Sequence, residues 1–188
     1  MIDVSLAFVR QVLDQYLVTS FAQEAGTVVL NNLVAPDGTL PPKNQNKLVL
    51  TLVNLDYETN RQFYGGFRQD GGAYSQVNPS LLFNLDVLMS ANFDDYGEAL
   101  KLLTATITFF QEHLALTREN YPLMPAGLTA LKFEIENSPS AKTHNLWTAL
   151  GAKYLPSIIY KIRHVAIQSG QIKSQTSSVQ SISAAAAP

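Results

Sequence analysis

One stretch of the chain, Leu81–Phe110, constrains the fold more than any other. Its first part alternates apolar residues with others, which is the period of a strand that buries one face. The inward residues of that strand are predicted to be Phe83, Leu85, Val87 and Met89. A helix follows, which Asn92 can cap and whose first turn carries two aspartates favoured by the helix dipole. Its apolar stripe, in steps of three and four, consists of Tyr96, Leu100, Leu103, Ile107 and Phe110.

The composition favours one domain whose surface is partly covered by other proteins. A chain of 188 residues is long enough for a single core and short for two. Charged residues make up only 15%, well below the usual quarter of a soluble protein, and uncharged polar residues take their place. Either much of this surface is buried against neighbouring subunits, or it is simply polar and exposed.

Several classes of function are excluded by the same totals. A net charge of −2 argues against binding to a nucleic-acid backbone, which requires clustered Lys and Arg. The chain has no cysteine, which removes disulfides, thiolate chemistry and Cys-based zinc sites. No apolar run approaches the roughly 20 residues that cross a bilayer, and the N-terminus lacks the pattern of a secretion signal. We expect no nucleic-acid partner and no membrane partner.

The first part of the chain predicts a helix and two strands. Asp3 can cap a helix that stops before Gly26, with an apolar face of Leu6, Val9, Val12, Leu13, Tyr16 and Leu17. A strand is predicted at Thr27–Val34, followed by a turn at Pro36–Gly38, where proline presets φ and glycine accepts a positive φ. The nearly continuous apolar run Lys47–Leu55 indicates a central strand covered on both faces.

The later part predicts a strand, a helix and a last strand. Leu131–Glu136 alternates apolar and charged residues, and Ser140–Gly151 is helical with Trp147 as a core anchor. The last strand is Ser157–Gln168, whose alternation slips near His164 in the manner of a β-bulge. The fold class is therefore α+β, a mixed sheet flanked by helices. The predicted core residues are Phe83, Leu85, Val87, Leu100, Leu103, Ile107, Phe110 and Trp147.

Two segments are candidates for contact with other subunits. The segment 60–79 is predicted as a long loop with two glycine pairs and four aromatic residues, which either fold back or dock on a neighbour. The other is the Ser- and Ala-rich tail 171–188, which follows a domain spanning residues 1–170 and is predicted to dock on a neighbouring subunit. The predicted interface residues are Phe63, Tyr64, Phe67, Arg68, Tyr74, Ile167, Ile172, Val179 and Ile182.

No arrangement of residues indicates catalysis or a cofactor. The glycines and arginines of 60–79 lack the Gly-Lys-Ser/Thr sequence of a phosphate-binding loop. Asp94, Asp95 and Glu98 lack calcium-loop spacing, and the helix dipole accounts for acids in a first turn. The three histidines lie in three separate elements, and no nucleophile elbow is present. We predict that the chain is not an enzyme and that it binds no cofactor and no metal.

Four segments, in this order along the chain, resemble a known family. They are PPKNQNKLVLTLVNLDYE, NPSLLFNLDVLMSANFDDYGEALKLLTATITFFQEH, LKFEIENSP and HNLWTALGAKYLPSIIYKIRHVAIQSG. Together they resemble the N-terminal domain of the terminator, or cap, proteins of phage-tail-like extracellular contractile injection systems. The resemblance spans about residues 1–170. Relatives carry a longer C-terminal region, so any role of that region is not carried over.

The resemblance implies a structural function. Members form a sixfold ring that ends the inner tube and holds the last ring of the contractile sheath, on a fold similar to phage tail terminators. The implied partners are further copies of the chain in a homo-hexamer, the inner tube protein and the sheath protein. The implied location is a phage-tail-like particle assembled in the bacterial cytoplasm and open to release. The alternative is an adaptor that binds one partner without forming a ring.

A ring of identical subunits needs two different patches on each protomer. The segment 60–78 and the tail 171–188 are the predicted patches. Coupling to the sheath by strand addition would need an exposed sheet edge, since backbone hydrogen bonds supply the affinity. We predict that this edge belongs to Ser157–Gln168 or to the tail that continues it.

Overall fold

The computed structural model describes residues 1–59, 67–70, 73–77, 80–167 and 172–177, and it describes 67–70, 73–77 and 172–177 by their backbone. The helices in these ranges are α1 (Ile2–Phe21), α2 (Tyr96–Glu112) and α3 (Ser140–Leu150), with a 3-10 turn at Pro42–Asn44. The strands are β1 (Val28–Leu30), β2 (Lys47–Tyr57), β3 (Phe67–Asp70), β4 (Ala73–Val77), β5 (Leu81–Asn92), β6 (Ala115–Thr117), β7 (Ala130–Ile135), β8 (Ser157–Ile167) and β9 (Ile172–Ser177).

Six strands form one mixed sheet in the order β1-β2-β5-β8-β7-β6. β1 is parallel to β2, and every other pair of neighbours in this sheet is antiparallel. α1 and α2 pack on one face, where their apolar side chains join those of the strands in the main core. α3 covers part of the opposite face through Trp147. The predicted α+β class, a mixed sheet flanked by helices, is confirmed.

β5 is the central strand, with β2 along one side and β8 along the other. Its residues are buried without a break from Asn84 to Ala91. The prediction that only one face of this strand is buried is therefore wrong. Helices cover both faces: Leu85, for example, belongs to the core under α1 and α2, whereas Leu88 packs with Trp147 of α3.

α1 follows the predicted pattern, with different ends. It begins at Ile2 because Met1 is the N-cap, and Asp3 lies on the exposed first turn, where it accepts a hydrogen bond from the N-terminal amine at 2.9 Å. It ends at Phe21, before the predicted stop at Gly26, because Ala22 takes the left-handed conformation with φ 52°. The buried side includes the predicted Leu6, Val9, Leu13 and Leu17.

The first strands are shorter or longer than predicted. β1 covers only three residues of the predicted Thr27–Val34, because the Asn32 backbone amide donates to the Asn31 side-chain oxygen rather than continuing the ladder, and the Asn31 side chain donates to that of Asn44. The turn at Pro36–Gly38 is present: the Gly38 amide donates to the Ala35 carbonyl and Gly38 has φ 83°. β2 extends to Tyr57, and only its first half is covered on both faces.

α2 begins later than predicted. Its N-cap is Asp95, whose carboxylate accepts a hydrogen bond from the Glu98 amide at 2.6 Å. Asn92 is instead the last residue of β5, where its side chain donates to the Asn44 carbonyl. Three polar residues, Asn92, Asp94 and Asp95, precede the helix, and spacing alone cannot tell which of them is the cap.

Most of the predicted apolar stripe of α2 lies off its buried face. Leu100 is 44% exposed, Tyr96 is exposed, and Leu103 and Ile107 are half-buried. The buried face is Ala99, Leu102, Ala105, Thr106, Phe109 and Phe110, so Phe110 is the one stripe residue on it. The small side chains on this face let the helix lie close to the sheet. The assignment of Leu100 to the core is wrong.

The other predicted core residues differ in how far their side chains are buried. Phe83 is half-buried, and its ring lies 5.6 Å from that of Tyr57. Trp147 is buried in a second core with Leu33, Val49, Leu88 and Ile159. Leu85, Val87 and Phe110 are buried in the main core.

The segment predicted as a long loop contains a hairpin. β3 and β4 are antiparallel with Asp70 opposite Ala73, so only Gly71 and Gly72 connect them. Two glycines between strands are a known signal for a tight hairpin. β9 pairs with the other side of β4, which gives a second sheet in the order β3-β4-β9. Part of the tail thus pairs within its own chain.

β8 lies inside the main sheet, between β5 and β7. The prediction that residues 157–168 offer an open edge is therefore wrong for this strand, because β7 returns to pair with Tyr160–Arg163. The predicted irregularity at His164 is present: its φ is 60°, and the β5–β8 register shifts between Phe83 and Leu85.

The two faces of α2 give a stability prediction. We expect Leu102→Ala to lower the free energy of unfolding by about 2–5 kcal/mol, because it leaves a cavity in a packed core. The matched change Leu100→Ala, on the exposed flank, should cost less than about 1 kcal/mol. Urea denaturation of the two variants measures both values. Equal losses would contradict this assignment of the buried face.

Candidate assembly surfaces

A cluster of charged side chains lies on the face of the sheet that α3 leaves partly uncovered. At its centre is Lys161 of β8, whose ammonium lies 3.1 Å from Asp56 of β2 and 3.3 Å from Asp86 of β5. Glu136, which follows β7, lies 3.6 Å from the same ammonium and 2.7 Å from that of Lys142. One partly buried cation thus links three strands and the end of a fourth.

Burial and the neighbouring carboxylates shift the pKa of Lys161 in opposite directions. Burial alone would lower its pKa, but hydrogen bonding and Coulombic attraction from Asp56, Asp86 and Glu136 outweigh it, so the pKa of Lys161 is raised. Hydrogen bonding from Lys161 lowers the pKa of Asp56, and hydrogen bonding from Lys142 lowers the pKa of Glu136. Lys161, Asp56 and Glu136 are therefore charged at neutral pH, and their contacts join β8 to β2 and to the end of β7.

A second polar group holds the bulge at the end of β8. The Asn84 side chain accepts a hydrogen bond from the His164 amide at 3.1 Å and donates one to Glu58 at 3.1 Å. The His164 Nε2 atom lies 3.8 Å from the Glu58 carboxylate. Arg163 binds Glu134 of β7 at 2.7 Å. These contacts fix the backbone where β5 and β8 leave the main sheet toward β4 and β9.

The outer edge of β2 is open over half its length. β1 pairs only with Leu48–Leu50, and the Asn31 amide donates to the Leu50 carbonyl just beyond. From Leu52 to Tyr57 the only neighbouring strand in the described part of the chain is β5. Leu55 is 43% exposed and Tyr57 53% exposed along this edge. An apolar edge without a partner is a site for strand addition.

The opposite end of the sheet is also open, as far as the described residues go. β6 pairs only with the first half of β7, and the last bond on that side runs from the Phe133 amide to the Leu114 carbonyl. Beyond it, Ile135 is 56% exposed. A groove of about 470 Å³ lies between α2 and β7, with apolar walls made by Ile107, Phe110, Leu114, Phe133, Ile135 and Tyr160.

The exposed flank of α2 runs into this groove. Tyr96, Leu103 and Ile107 lie on the side of the helix that faces β7, as helical spacing from Ile107 requires. A helix with two apolar faces normally has both of them covered. Apart from Phe110, the stripe predicted from the sequence thus lies at the surface of α2.

Only some of the predicted interface residues lie on the second sheet. Phe67, Arg68 and Tyr74 lie on the β3–β4 hairpin, and Ile172 begins β9. Ile167 is the half-buried last residue of β8. The remaining four, Phe63, Tyr64, Val179 and Ile182, lie outside the described residues.

The Lys161 cluster was not predicted from the sequence, although an alternation of polar residues along two strands indicated it. Asn54, Asp56 and Glu58 alternate along β2, and Lys161 and Arg163 alternate along β8, inside strands that are otherwise apolar. Polar residues at period two mark one face of a strand. Which face of which strands would meet depends on the strand order, and this the sequence does not specify.

None of the described helices is long and apolar enough to span a membrane. A groove of about 350 Å³ beside α1 is lined by aromatic residues such as Phe8, Tyr16 and Tyr121 beside His113. The His113 Nδ1 atom lies 2.9 Å from the Phe109 carbonyl, which accepts its hydrogen bond, and the imidazole stacks on the Phe109 ring, which are roles in packing.

Comparison with protein families gives one match over nearly the whole chain. The model of the Pvc16 N-terminal domain matches residues 6–181. No curated protein sequence is a significant match.

Two solved structures are similar in fold. One is the tube-terminating cap of the anti-feeding prophage, with a TM-score of 0.58 at 12% identity over 99% of this chain and 61% of that one. The other is the PVC sheath/tube terminator of an extracellular contractile injection system in its extended state, with a TM-score of 0.51 at 12% identity over 76% of this chain and 50% of that one. The chain spans half to three-fifths of the length of these proteins.

The charged cluster predicts opposite pH responses for two forms of the protein. In the native chain the pKa values of Asp56 and Glu136 are lowered, so their stabilisation is complete above about pH 4, the unfolded value, and is lost as the pH falls through the folded values. In Lys161→Met the clustered carboxylates repel one another. We expect that variant to lose on the order of 3 kcal/mol at pH 7 and to regain part of it as the pH falls toward 4.

The measurement is the free energy of unfolding of both forms from pH 7 down to about pH 3, below the unfolded pKa values of Asp and Glu. Lys101→Met is the control, because Lys101 is exposed and pairs with Glu98 at the surface, where a salt bridge contributes little. A Lys161→Met variant that only loses stability on acidification would rule out the repulsion argued here.

Proposed function

This chain belongs to the Pvc16 N-terminal domain family, and we propose that it is the terminator of a phage-tail-like contractile injection particle. In this role it forms a homo-hexameric ring that ends the inner tube and anchors the last ring of the sheath. The function is structural, without catalysis. The chain is made in the bacterial cytoplasm and assembled into the particle, with which it is released.

One observation carries this proposal. The fold aligns over 99% of the chain with a protein that is a tube-terminating cap. The family match over residues 6–181 supports the same role independently, because it rests on sequence rather than on shape.

The surface supports an assembly role as well. The main sheet has an open apolar segment at each end, on β2 and on β7. Isolated proteins normally protect such edges with charge, bulges or covering elements. Two different open edges on one protomer meet the requirement of a head-to-tail ring.

The second sheet is our proposed contact with tube or sheath. Its strands carry Phe67, Arg68, Tyr74 and Ile172, next in sequence to Phe63, Tyr64 and Ile167. The order β3-β4-β9 leaves β3 and β9 at its two edges within the described residues. Val179 and Ile182 follow β9 and extend this proposed contact, and the tail 178–188 is proposed to dock on a neighbouring subunit.

Particles assembled without this chain test the proposal directly. We expect tubes of irregular length or a sheath loosened at the end away from the baseplate, because nothing would stop tube growth or hold the last sheath ring. Negative-stain electron microscopy measures both, with particles restored by the native chain as the control. Particles of normal length with a firmly attached sheath would overturn the terminator role. A chain that stays monomeric with tube and sheath present would point to the adaptor instead.

A substitution in the second sheet separates folding from assembly. We expect Phe67→Ala to leave the unfolding free energy of the isolated subunit within about 1 kcal/mol of the native value, as for a surface position. The same variant should fail to restore normal particle ends. Unfolding of the isolated Phe67→Ala subunit would place this residue in the core and end its proposed role as a contact.

A further inference from the structure

The two open edges of the main sheet lie at its opposite ends. β2 is open from Leu52 to Tyr57, and β7 is open beyond Phe133, both judged on the described residues. Between them stand β5 and β8. A ring subunit needs two such patches facing away from each other, so that each can meet the other type on the next copy.

Both edges present apolar side chains on the same face. Leu55 pairs with Leu85, and Leu85 belongs to the core under α1 and α2. Phe133 of β7 packs in that same core, and Ile135 shares its face by the alternation of a strand. When a sheet continues from one copy to the next, its faces are preserved. The Leu55 side chain of one copy would therefore project beside α2 of the next.

Strand direction is compatible with this arrangement. β2, β5, β8 and β7 are successively antiparallel, so β7 runs opposite to β2. A second copy related by rotation about an axis along the strands would place its β2 antiparallel to β7. Antiparallel addition is also the commoner pairing in mixed sheets.

The groove beside β7 has the size and chemistry for the incoming side chains. Its volume is about 470 Å³ and its walls are almost wholly apolar. Leu55 and Tyr57 of β2 alternate with Asp56, so both point to the helix side and Asp56 to the other.

We propose that the ring forms by strand addition between copies, with the Leu52–Tyr57 edge of one chain pairing with β7 of the next. Leu55 and Tyr57 then fill the groove between α2 and β7 and cover the exposed flank of α2. The proposal rests on the ring named under the proposed function and adds the surfaces that close it. The partner that binds there is a second copy of the chain, because one chain carries both the open β2 edge and the groove beside β7.

Engineered cysteines test this contact, since the native chain has no cysteine. The variants are Leu55→Cys, Ile135→Cys and the double variant, each assembled with the tube and sheath proteins and oxidised. Within one chain the two positions are three strand steps apart, about 14 Å. That exceeds the roughly 7 Å limit between Cα atoms for a disulfide, so bonds within a chain are excluded.

The expected bands on a non-reducing gel are specific. The double variant should give a ladder of multimers up to the closed ring, and a mixture of the two single variants should give dimers only. Each single variant alone should stay monomeric, because position 55 meets position 135 and never another position 55. Dimers from either single variant alone would indicate a two-fold contact and overturn the proposal. Assembled rings without any ladder from the double variant would overturn it too.

A charge placed in the groove gives an independent readout. We expect Leu55→Lys to abolish ring formation, measured by native mass spectrometry, while circular dichroism of the subunit is unchanged. Leu123→Lys is the matched control, because Leu123 is 94% exposed on a connector away from both edges, and its rings should persist. Intact rings from Leu55→Lys would reject this interface and leave the terminator role standing. Normal particles formed without the chain would reject the terminator role itself.

Discussion

The pairing of β5 with β2 and β8 is the interaction on which the rest of the structure depends. Because helices cover both faces of β5, nearly every side chain along it is buried, including the polar Asn84 and Asp86. A buried carboxylate is costly unless it is paired. Lys161, one strand away, supplies the charge for Asp86 and also binds Asp56 on the far side. The register of three strands is thus fixed by backbone pairing and by one partly buried cation.

The parts of the fold that depend on local periodicity were predictable. α1, α3 and the strands β5, β7 and β8 each have a repeat of 3.6 or 2 residues long enough to be read, and even the irregularity at His164 appears as a slip in alternation. The hairpin β3–β4 was missed because its strands are short and polar, so the Gly71-Gly72 signal stood alone. The order of the strands could not be predicted, because β8 and β7 come to lie on one side of β5 through contacts distant in sequence.

α2 is the instructive error. Five of its apolar residues form a regular stripe, and a helix with one stripe is expected to bury it. The helix instead buries Ala99, Ala105 and Thr106 with Leu102, Phe109 and Phe110, because small residues allow the closest approach to the sheet. Of the stripe only Phe110 is buried, whereas Leu100 and Ile107 remain on the flank. A helix with two apolar sides can bury either of them, and periodicity cannot say which side is used within the chain.

The open edges and the low charge of the chain have one common explanation. In the proposed ring, lysines and prolines of the kind that keep edge strands apart would also block the intended contact. There each β2 edge would meet a β7 edge, so the open segments of these two strands would be covered by the neighbouring copies. With 15% charged residues the surface tolerates this burial at little desolvation cost. The same edges that would promote uncontrolled aggregation in a monomer are satisfied in a closed ring, which is a suitable design for a particle component that ends polymerisation.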